Sequence, residues 1–554
     1  MLASSQRTPP QRSYWDWATF AVLLATCVLL FASLPYAGTP GWDESGHGFA
    51  ALRLAEPLRA FDLARFGHQL VADDFYPPIG RFGALLGILC GGDSFAAPRV
   101  VSIAAWVGAI GCGALIARRL ADAPSAGFFA ALLGSSCWLG NQHARTGFQE
   151  PWCALLLALL ALAALAVQRR PTSGRVLLLG GAIALCVLCK YTYGILGAGA
   201  VLGAFACEVL ARRWSALRFC LLLSGMALVF AWWFVLPLPA GTAMGALHRS
   251  SFWLYVTKAA ELDGLYRSDL WIVWGLQMCV TPLALILQCG GCLLAALHAR
   301  EFGPRLLFFF ALAGTLAFLC YPYRIERFLL PTSFALFALG GWAAAWLVQR
   351  APARLRAWAA PALLIVALAT IGFGSRRLFF ALRGDGLDED GRARALATIR
   401  SWRKPIAFSG APSCGPPGLA GVLDFAAREL RPDKPFVWIG GSCTELPIAL
   451  LRWRLQQASR ARELPQWDLA ERDHLWTDNG FDSASFRAWA LQFEQVGTLD
   501  PPDPRDRPGP GRAFEARFVA WMSADPDFTA AAAIEVELSP GRVHRVTIYS
   551  RRER

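Results

Sequence analysis

The chain has 554 residues, 55% of them hydrophobic, and a mean hydropathy of +0.40, which excludes an ordinary soluble protein of this size. A net charge of +13 would suit a nucleic-acid partner, but its placement excludes one. Residues 1–375 hold 27 Lys and Arg against 16 Asp and Glu, spread between apolar runs and not gathered into a basic patch interleaved with aromatics.

In chain order, bilayer-spanning segments are expected at 18–36, 98–117, 124–140, 152–168, 176–189, 191–211, 219–238, 271–297, 306–320, 328–348 and 357–375, about eleven in all. The stretch 176–211 also reads as one bent segment. Segment 18–36 follows Arg7 and Arg12. It is long for a cleavable signal, so a retained signal anchor is expected. Segment 79–91 lies between Tyr76-Pro77-Pro78 and Gly91-Gly92-Asp93; it is too short to span and reads as a helix lying along the surface.

Charge placement supports this threading. With a cytosolic N-terminus, the inner loops collect 15 basic residues, from Arg118-Arg119 through Arg169-Arg170 and Arg212-Arg213 to Arg350 and Arg356. Only Asp16, Asp122, Glu208 and Glu301 oppose them there, while the outer loops hold 12 basic and 12 acidic residues. Counting 79–91 as a span would invert every later loop and break the positive-inside rule. Beyond residue 380 the composition is that of a soluble domain. The organisation expected is therefore a helical membrane body over 1–380 and an extracytoplasmic α/β domain over 381–554.

The outer loops then carry the chemistry. The first reads GWDESGHGF and LVADDFYPPIGRF, with Asp43, Glu44, His47, Asp73, Asp74 and Arg81; the next reads NQHARTGFQEPW, with His143, Arg145 and Glu150. Lys190, one of four lysines, sits between two apolar runs. A charge at mid-bilayer costs about 2.5–3.5 kcal/mol on insertion scales, so charges at helix ends face headgroups or a cavity. Arg99, Arg145, Glu150 and Lys190 at helix ends on one face point to a common cavity at the outer leaflet. Asp43-Glu44 also fits the start of a helix near residue 43, as cap and first-turn acid, and the two roles are compatible.

These segments resemble a family. WDESGHGF at 42–49 resembles the D-E motif of the protein O-mannosyltransferases, and YPPIGRF at 76–82 their H-P-P-L segment, with Tyr76 in place of His. APRVVS at 97–102 looks like their arginine-bearing helix start. ARTGFQEPW at 144–152 is similar to their R-x-D-A-P turn, with Glu150 in place of Asp, and YRIERFLLPTSFAL at 323–336 resembles R-Y-L-L-P-x-x-P-x-L. Lys190 matches a lysine of the related lipid A aminoarabinose transferases. The likeness runs over roughly residues 15–350.

The resemblance implies an all-α polytopic membrane protein of the GT-C type with a small C-terminal α/β domain. It also implies an inverting transfer of sugar from a polyprenyl-phosphate donor to an acceptor glycan, lipid or protein at the outer face of a bacterial inner membrane. In that scheme Asp43 is the general base and Glu44 its support. Arg99, Arg145, Lys190, Arg324 and Arg327 would meet the donor phosphate, and Asp74, Tyr76 and Glu150 would line the substrate. No cofactor is assigned. The aminoarabinose transferases leave a divalent cation open, with His47 or His248 joining Asp43, but the spacing does not specify one.

Thirteen of the fifteen cysteines lie in or beside apolar segments, where Cys behaves as a small hydrophobe. The C-x-x-C pairs Cys186/Cys189 and Cys289/Cys292 have no partner ligands nearby in sequence. Cys414 and Cys443 would be free to pair in an oxidising compartment. In the C-terminal part, 405–410, 436–441 and 542–550 read as strands and 445–455 as an amphipathic helix. The segment 500–512, rich in Pro, Asp and Arg, reads as a loop. The competing reading is a transporter or flippase of lipid-linked substrates. That class shows repeated halves with binding groups at the midplane, whereas this chain shows no internal repeat and its charges gather on one face.

Overall fold

The computed structural model describes residues 14–32, 34, 42–72, 77–92, 94, 96–147, 149–234, 282–320, 326–352, 354, 358, 361, 421–422, 425, 428–429, 436–439, 495–499, 523–539 and 542–552. The chain forms two compact units, Met1–Tyr36 with Ala50–Gly410, and Ala37–Phe49 with Ala411–Arg554.

The helices, in chain order, are α1 (Tyr14–Ala32), α2 (Trp42–Arg59), α3 (Leu63–Ala72), α4 (Phe82–Gly91), α5 (Ala96–Ala121), α6 (Pro124–Ser135), α7 (Trp138–Arg145), α8 (Gln149–Arg169), α9 (Ser173–Val187), α10 (Tyr191–Leu210) and α11 (Ala216–Phe234), followed by α12 (Pro282–Leu297), α13 (Phe302–Cys320) and α14 (Ser333–Arg350). Short 3-10 turns at Pro78–Arg81 and Glu326–Thr332 lead into α4 and α14. Leu and Ala, strong helix formers, dominate α8, which opens on Gln149-Glu150-Pro151 and ends at Arg169. Thr172 caps α9, its hydroxyl accepting from the Arg175 N–H at 3.4 Å.

Among the described residues, six helices are long and apolar enough to cross a membrane, and five apolar helices are shorter. The expected spans between 98 and 211 and at 306–320 and 328–348 fall on helices in this set, and the first falls on α1. Segments 219–238 and 271–297 are helical over their described parts, 219–234 and 282–297, and 357–375 lies almost wholly outside the described residues. α4, at ten residues, rises about 15 Å, half a bilayer core, as its reading as a non-spanning helix requires.

The run 176–211 is two helices, as the separate segments 176–189 and 191–211 require, because Lys190 adopts an extended conformation (φ −156°, ψ 116°) between α9 and α10. One boundary differs from the hydropathy pattern: the run 124–140 breaks at Ser136–Cys137, with Cys137 extended. The Ser135 carbonyl at that break takes a 2.8 Å hydrogen bond from the Asn141 side-chain amide, whose oxygen accepts from the Trp106 indole N–H at 3.0 Å. α9 and α11 meet at small residues: a Cβ on Gly180 would lie 2.0 Å from the Leu222 carbonyl and one on Gly225 2.1 Å from that of Leu177. Close backbone approach of this kind holds helices together where lipid supplies no hydrophobic drive.

At one end of this bundle three arginines are tied to acids. Arg118 at the end of α5 pairs with Asp16 at the start of α1. Arg305 of α13 pairs with the buried Glu208 near the end of α10 and donates to the Ala204 carbonyl at 3.2 Å. Gln168 of α8 donates to the other Glu208 oxygen at 2.9 Å, and Arg213 lies 3.8 Å away. Trp214 stacks on Phe205 alongside, with ring centroids 4.3 Å apart.

The second unit carries a four-stranded sheet in the order β1-β2-β4-β3, from β1 (Phe436–Ile439), β2 (Gln495–Leu499), β3 (Phe528–Ser539) and β4 (Arg542–Arg551). β1 and β2 are parallel, and the other pairings are antiparallel. The strand expectations at 436–441 and 542–550 fall on β1 and β4, whose Val546 and Ile548 are fully buried. The segments 405–410, 445–455 and 500–512, and Cys414 and Cys443, lie outside the described residues.

Glu208→Ala would strand the Arg305 guanidinium and should cost about 3–5 kcal/mol, read as a clear fall in the thermal unfolding midpoint of the detergent-solubilised protein. Arg213→Ala removes an exposed, distant partner and should change stability by at most about 1 kcal/mol. Equal effects would overturn the assignment of Glu208 as the centre of the cluster.

Candidate functional site

The opposite end of the membrane unit, where α5, α8 and α10 begin, buries charge of a different kind. Glu150 stands in the first turn of α8, where the positive end of the helix dipole favours a carboxylate. Lys190 is the residue before the first turn of α10. Its ammonium donates to Glu150 Oε1 at 3.0 Å, and the Tyr193 hydroxyl donates to the same oxygen at 3.0 Å. The Lys190 ammonium also lies 4.9 Å from the centroid of the Tyr193 ring, a cation–π distance. The three residues are 6%, 1% and 2% exposed, for Lys190, Glu150 and Tyr193 in turn.

The turn at Pro78–Arg81 is seated directly on this junction. The Ile79 N–H donates to the Leu188 carbonyl at 3.1 Å. A Cβ on Gly80 would meet the Cys189 carbonyl at 2.3 Å and the Gln149 amide nitrogen at 3.0 Å, so only glycine lets the turn lie flat there. That seat carries the neighbouring Arg81 inward, where it is buried and within electrostatic reach of Tyr191. The Trp233 indole of α11 donates to the Tyr191 hydroxyl at 3.4 Å. Arg99 in the first turn of α5 and Arg145 at the end of α7 are buried as well. The two elements are joined where Ser102 donates to the His143 carbonyl at 3.5 Å.

Of the residues singled out in the sequence, Arg99, Arg145, Glu150 and Lys190 are therefore buried near the starts of α5, α8 and α10, and Glu150 with Lys190 forms a direct pair. Asp43 and Glu44 fall in the first turn of α2, which begins at Trp42, but their side chains lie outside the described residues. The same holds for the Arg327 side chain, although the residue sits in the turn before α14. Asp74, Tyr76, His248 and Arg324 lie outside the described residues altogether. His47 is buried. Among the described residues, no group of three His, Cys, Asp or Glu is arranged to hold a metal ion.

The sequence reading listed Arg81 among the outer charges without a role, and it passed over Gln149 and Tyr193. A tyrosine three residues after Lys190 shares its helix face, which is the signal that would have found Tyr193. The Cys189 sulfur lies 3.4 Å from that of Cys153 on α8, a neighbour that sequence spacing does not show.

Residues 76–235 match the family model of dolichyl-phosphate-mannose-protein mannosyltransferases, a stretch that contains Arg81, Arg99, Arg145, Glu150, Lys190 and Tyr193. No curated protein matches the chain by sequence. Among solved structures, the chain is similar in fold to ArnT from Cupriavidus metallidurans bound to undecaprenyl phosphate, with a TM-score of 0.53 and 16% identity over 97% of this chain and 98% of that one. It is similar to the apo state of the same protein with a TM-score of 0.54 and 15% identity, over 96% of this chain and 98% of that one. The chain thus has a GT-C type fold and resembles the mannosyltransferases and aminoarabinose transferases.

Gly80→Ala should unseat the turn that carries Arg81, seen as a lowered unfolding midpoint and faster proteolysis near residue 80. Gly174→Ala, where no atom lies within 4 Å of the added Cβ, should be neutral or stabilising by up to about 1 kcal/mol. A stable Gly80→Ala protein would refute the close seat.

Proposed function

We propose that the chain is an inverting glycosyltransferase, moving a sugar from a polyprenyl-phosphate donor to an acceptor at the outer face of a bacterial inner membrane. The observation that carries this reading is the group of four buried cations, Arg81, Arg99, Arg145 and Lys190, near the starts of α5, α8 and α10. A transfer that expels a lipid phosphate needs positive charge where negative charge develops, held in place beforehand and shielded from water. The fold shared with ArnT, which binds undecaprenyl phosphate in one of its structures, supports the same donor class here.

In the proposed reaction the acceptor hydroxyl attacks the anomeric carbon from the face opposite the phosphate. Asp43 takes the hydroxyl proton as the carbon–oxygen bond to the acceptor forms. The bond to the donor phosphate breaks, and the polyprenyl phosphate leaves with both bonding electrons toward the cations. Glu44 supports Asp43; Arg324 and Arg327 add to the phosphate site, and Asp74 and Tyr76 to the substrate site. Glu150 anchors Lys190. The arginines and their acid partners at the other end of the bundle support an orientation with the N-terminus in the cytosol and the C-terminal domain outside.

A panel of undecaprenyl-phosphate sugars offered to the purified protein with membrane-derived acceptors should reveal one transferred sugar. Asp43→Asn and Lys190→Met should each lower the rate by roughly 100-fold or more without loss of expression. Product formed by Asp43→Asn at the wild-type rate would remove Asp43 as the base. Alkaline phosphatase fused after residue 380 should be active in cells; an inactive fusion that is nonetheless produced would reverse the orientation.

A further inference from the structure

We propose that Tyr193 is a positioning residue for this transfer, fixing the Lys190 ammonium through the Glu150 carboxylate. The inference rests on the transferase reading and assigns a role to a residue that neither the composition nor the resemblance singled out. Lys190 is in an awkward place for a cation: it is buried and stands at the positive end of the α10 dipole. A lysine side chain has four rotatable carbons and a compact charge, so burial alone does not fix where its ammonium points. Tyr193 constrains it twice. One turn along α10, on the same face as Lys190, its ring lies 4.9 Å below the ammonium. Its hydroxyl donates at 3.0 Å to the Glu150 oxygen that also accepts from Lys190.

That shared oxygen is what makes the role one of positioning. The hydroxyl places a second hydrogen bond on the oxygen that accepts from Lys190. Held also from Tyr193, Glu150 becomes a fixed point on α8 against which the ammonium is set. Tyr193→Phe keeps the ring and removes only the hydroxyl, so it loosens Glu150 while leaving the packing intact. Misplacing a charge at a reacting centre by about 1 Å can cost 100-fold in rate. The expected result is therefore a kcat for Tyr193→Phe roughly 10- to 100-fold below wild type, with only the small fall in the unfolding midpoint that loss of one hydrogen bond brings, the protein still fully folded at the assay temperature, and a donor KM within a few-fold of wild type.

The deciding experiment is a double-mutant cycle in the transfer assay, with Tyr193→Phe, Glu150→Gln and both together. Because Tyr193 acts through Glu150, its removal should lower kcat far less in the Glu150→Gln background than in the wild type. Additive losses, an unchanged kcat for Tyr193→Phe, or a loss of activity accounted for by unfolding at the assay temperature would each overturn the proposal. Binding of undecaprenyl phosphate to the wild-type protein is measured alongside. A wild-type protein that neither binds it nor transfers sugar would overturn the transferase reading and this inference with it. A wild type that does both beside an unaffected Tyr193→Phe would overturn this inference alone.

Discussion

A lysine ammonium buried at the start of a helix is opposed by the macrodipole and by desolvation together, and it persists only beside an acid that is itself held. In this protein that acid is Glu150, and much of the membrane unit is arranged around it. The first turn of α8 presents it where the helix dipole favours a carboxylate. The break between α9 and α10 exists at Lys190, whose extended backbone lets the ammonium turn toward α8. The turn at Pro78–Arg81 lies on the same break through the Leu188 and Cys189 carbonyls. Arg81, next in the chain to Gly80, is therefore buried at the same break.

The bundle buries a second acid at its other end, and the contrast separates structure from chemistry. Glu208 is surrounded by partners that exhaust it: Arg305 and Arg213 on one oxygen and Gln168 on the other. Arg305 in turn reaches the Ala204 and Ala299 carbonyls. Such a cluster closes on itself and staples α8, α10 and α13. At the other end Glu150 accepts from Lys190 and Tyr193 on one oxygen, and Arg81, Arg99 and Arg145 are buried near the same helix starts. The two ends obey the same rule for charge in a membrane protein: each buried acid is set against a buried cation.

Much of this was legible in the sequence, and the residues show why. Runs of Leu, Ala and Gly mark the helices because only a chain with its backbone bonds satisfied internally crosses lipid. Charge at the ends of those runs marked Arg99, Arg145, Glu150 and Lys190 before any coordinate did. Hydropathy missed the break at Ser136–Cys137, since both residues are apolar or small and the polar group that serves the break, Asn141, comes five residues after Ser136. It also missed Tyr193, because a tyrosine inside an apolar run reads as core until its hydroxyl is seen to meet an acid 43 residues away. Cys189 illustrates the limit of spacing: Cys186 is three residues away in sequence, whereas the sulfur 3.4 Å from it belongs to Cys153 of α8.

Glu150 stands where the resembled turn carries an aspartate, and the geometry gives that difference a physical meaning. Glutamate is one carbon longer, and its carboxylate has to cross from α8 to α10 to meet both Lys190 and Tyr193. The distance between the two helices is set elsewhere, partly by Gly197, whose missing Cβ lets α10 lie against Leu157 of α8. With the spacing set by packing, the acid of α8 meets the Lys190 ammonium and the Tyr193 hydroxyl at one oxygen, 3.0 Å from each. The position of the charge at the site thus follows from three choices made along separate helices: a glycine, a glutamate and a tyrosine.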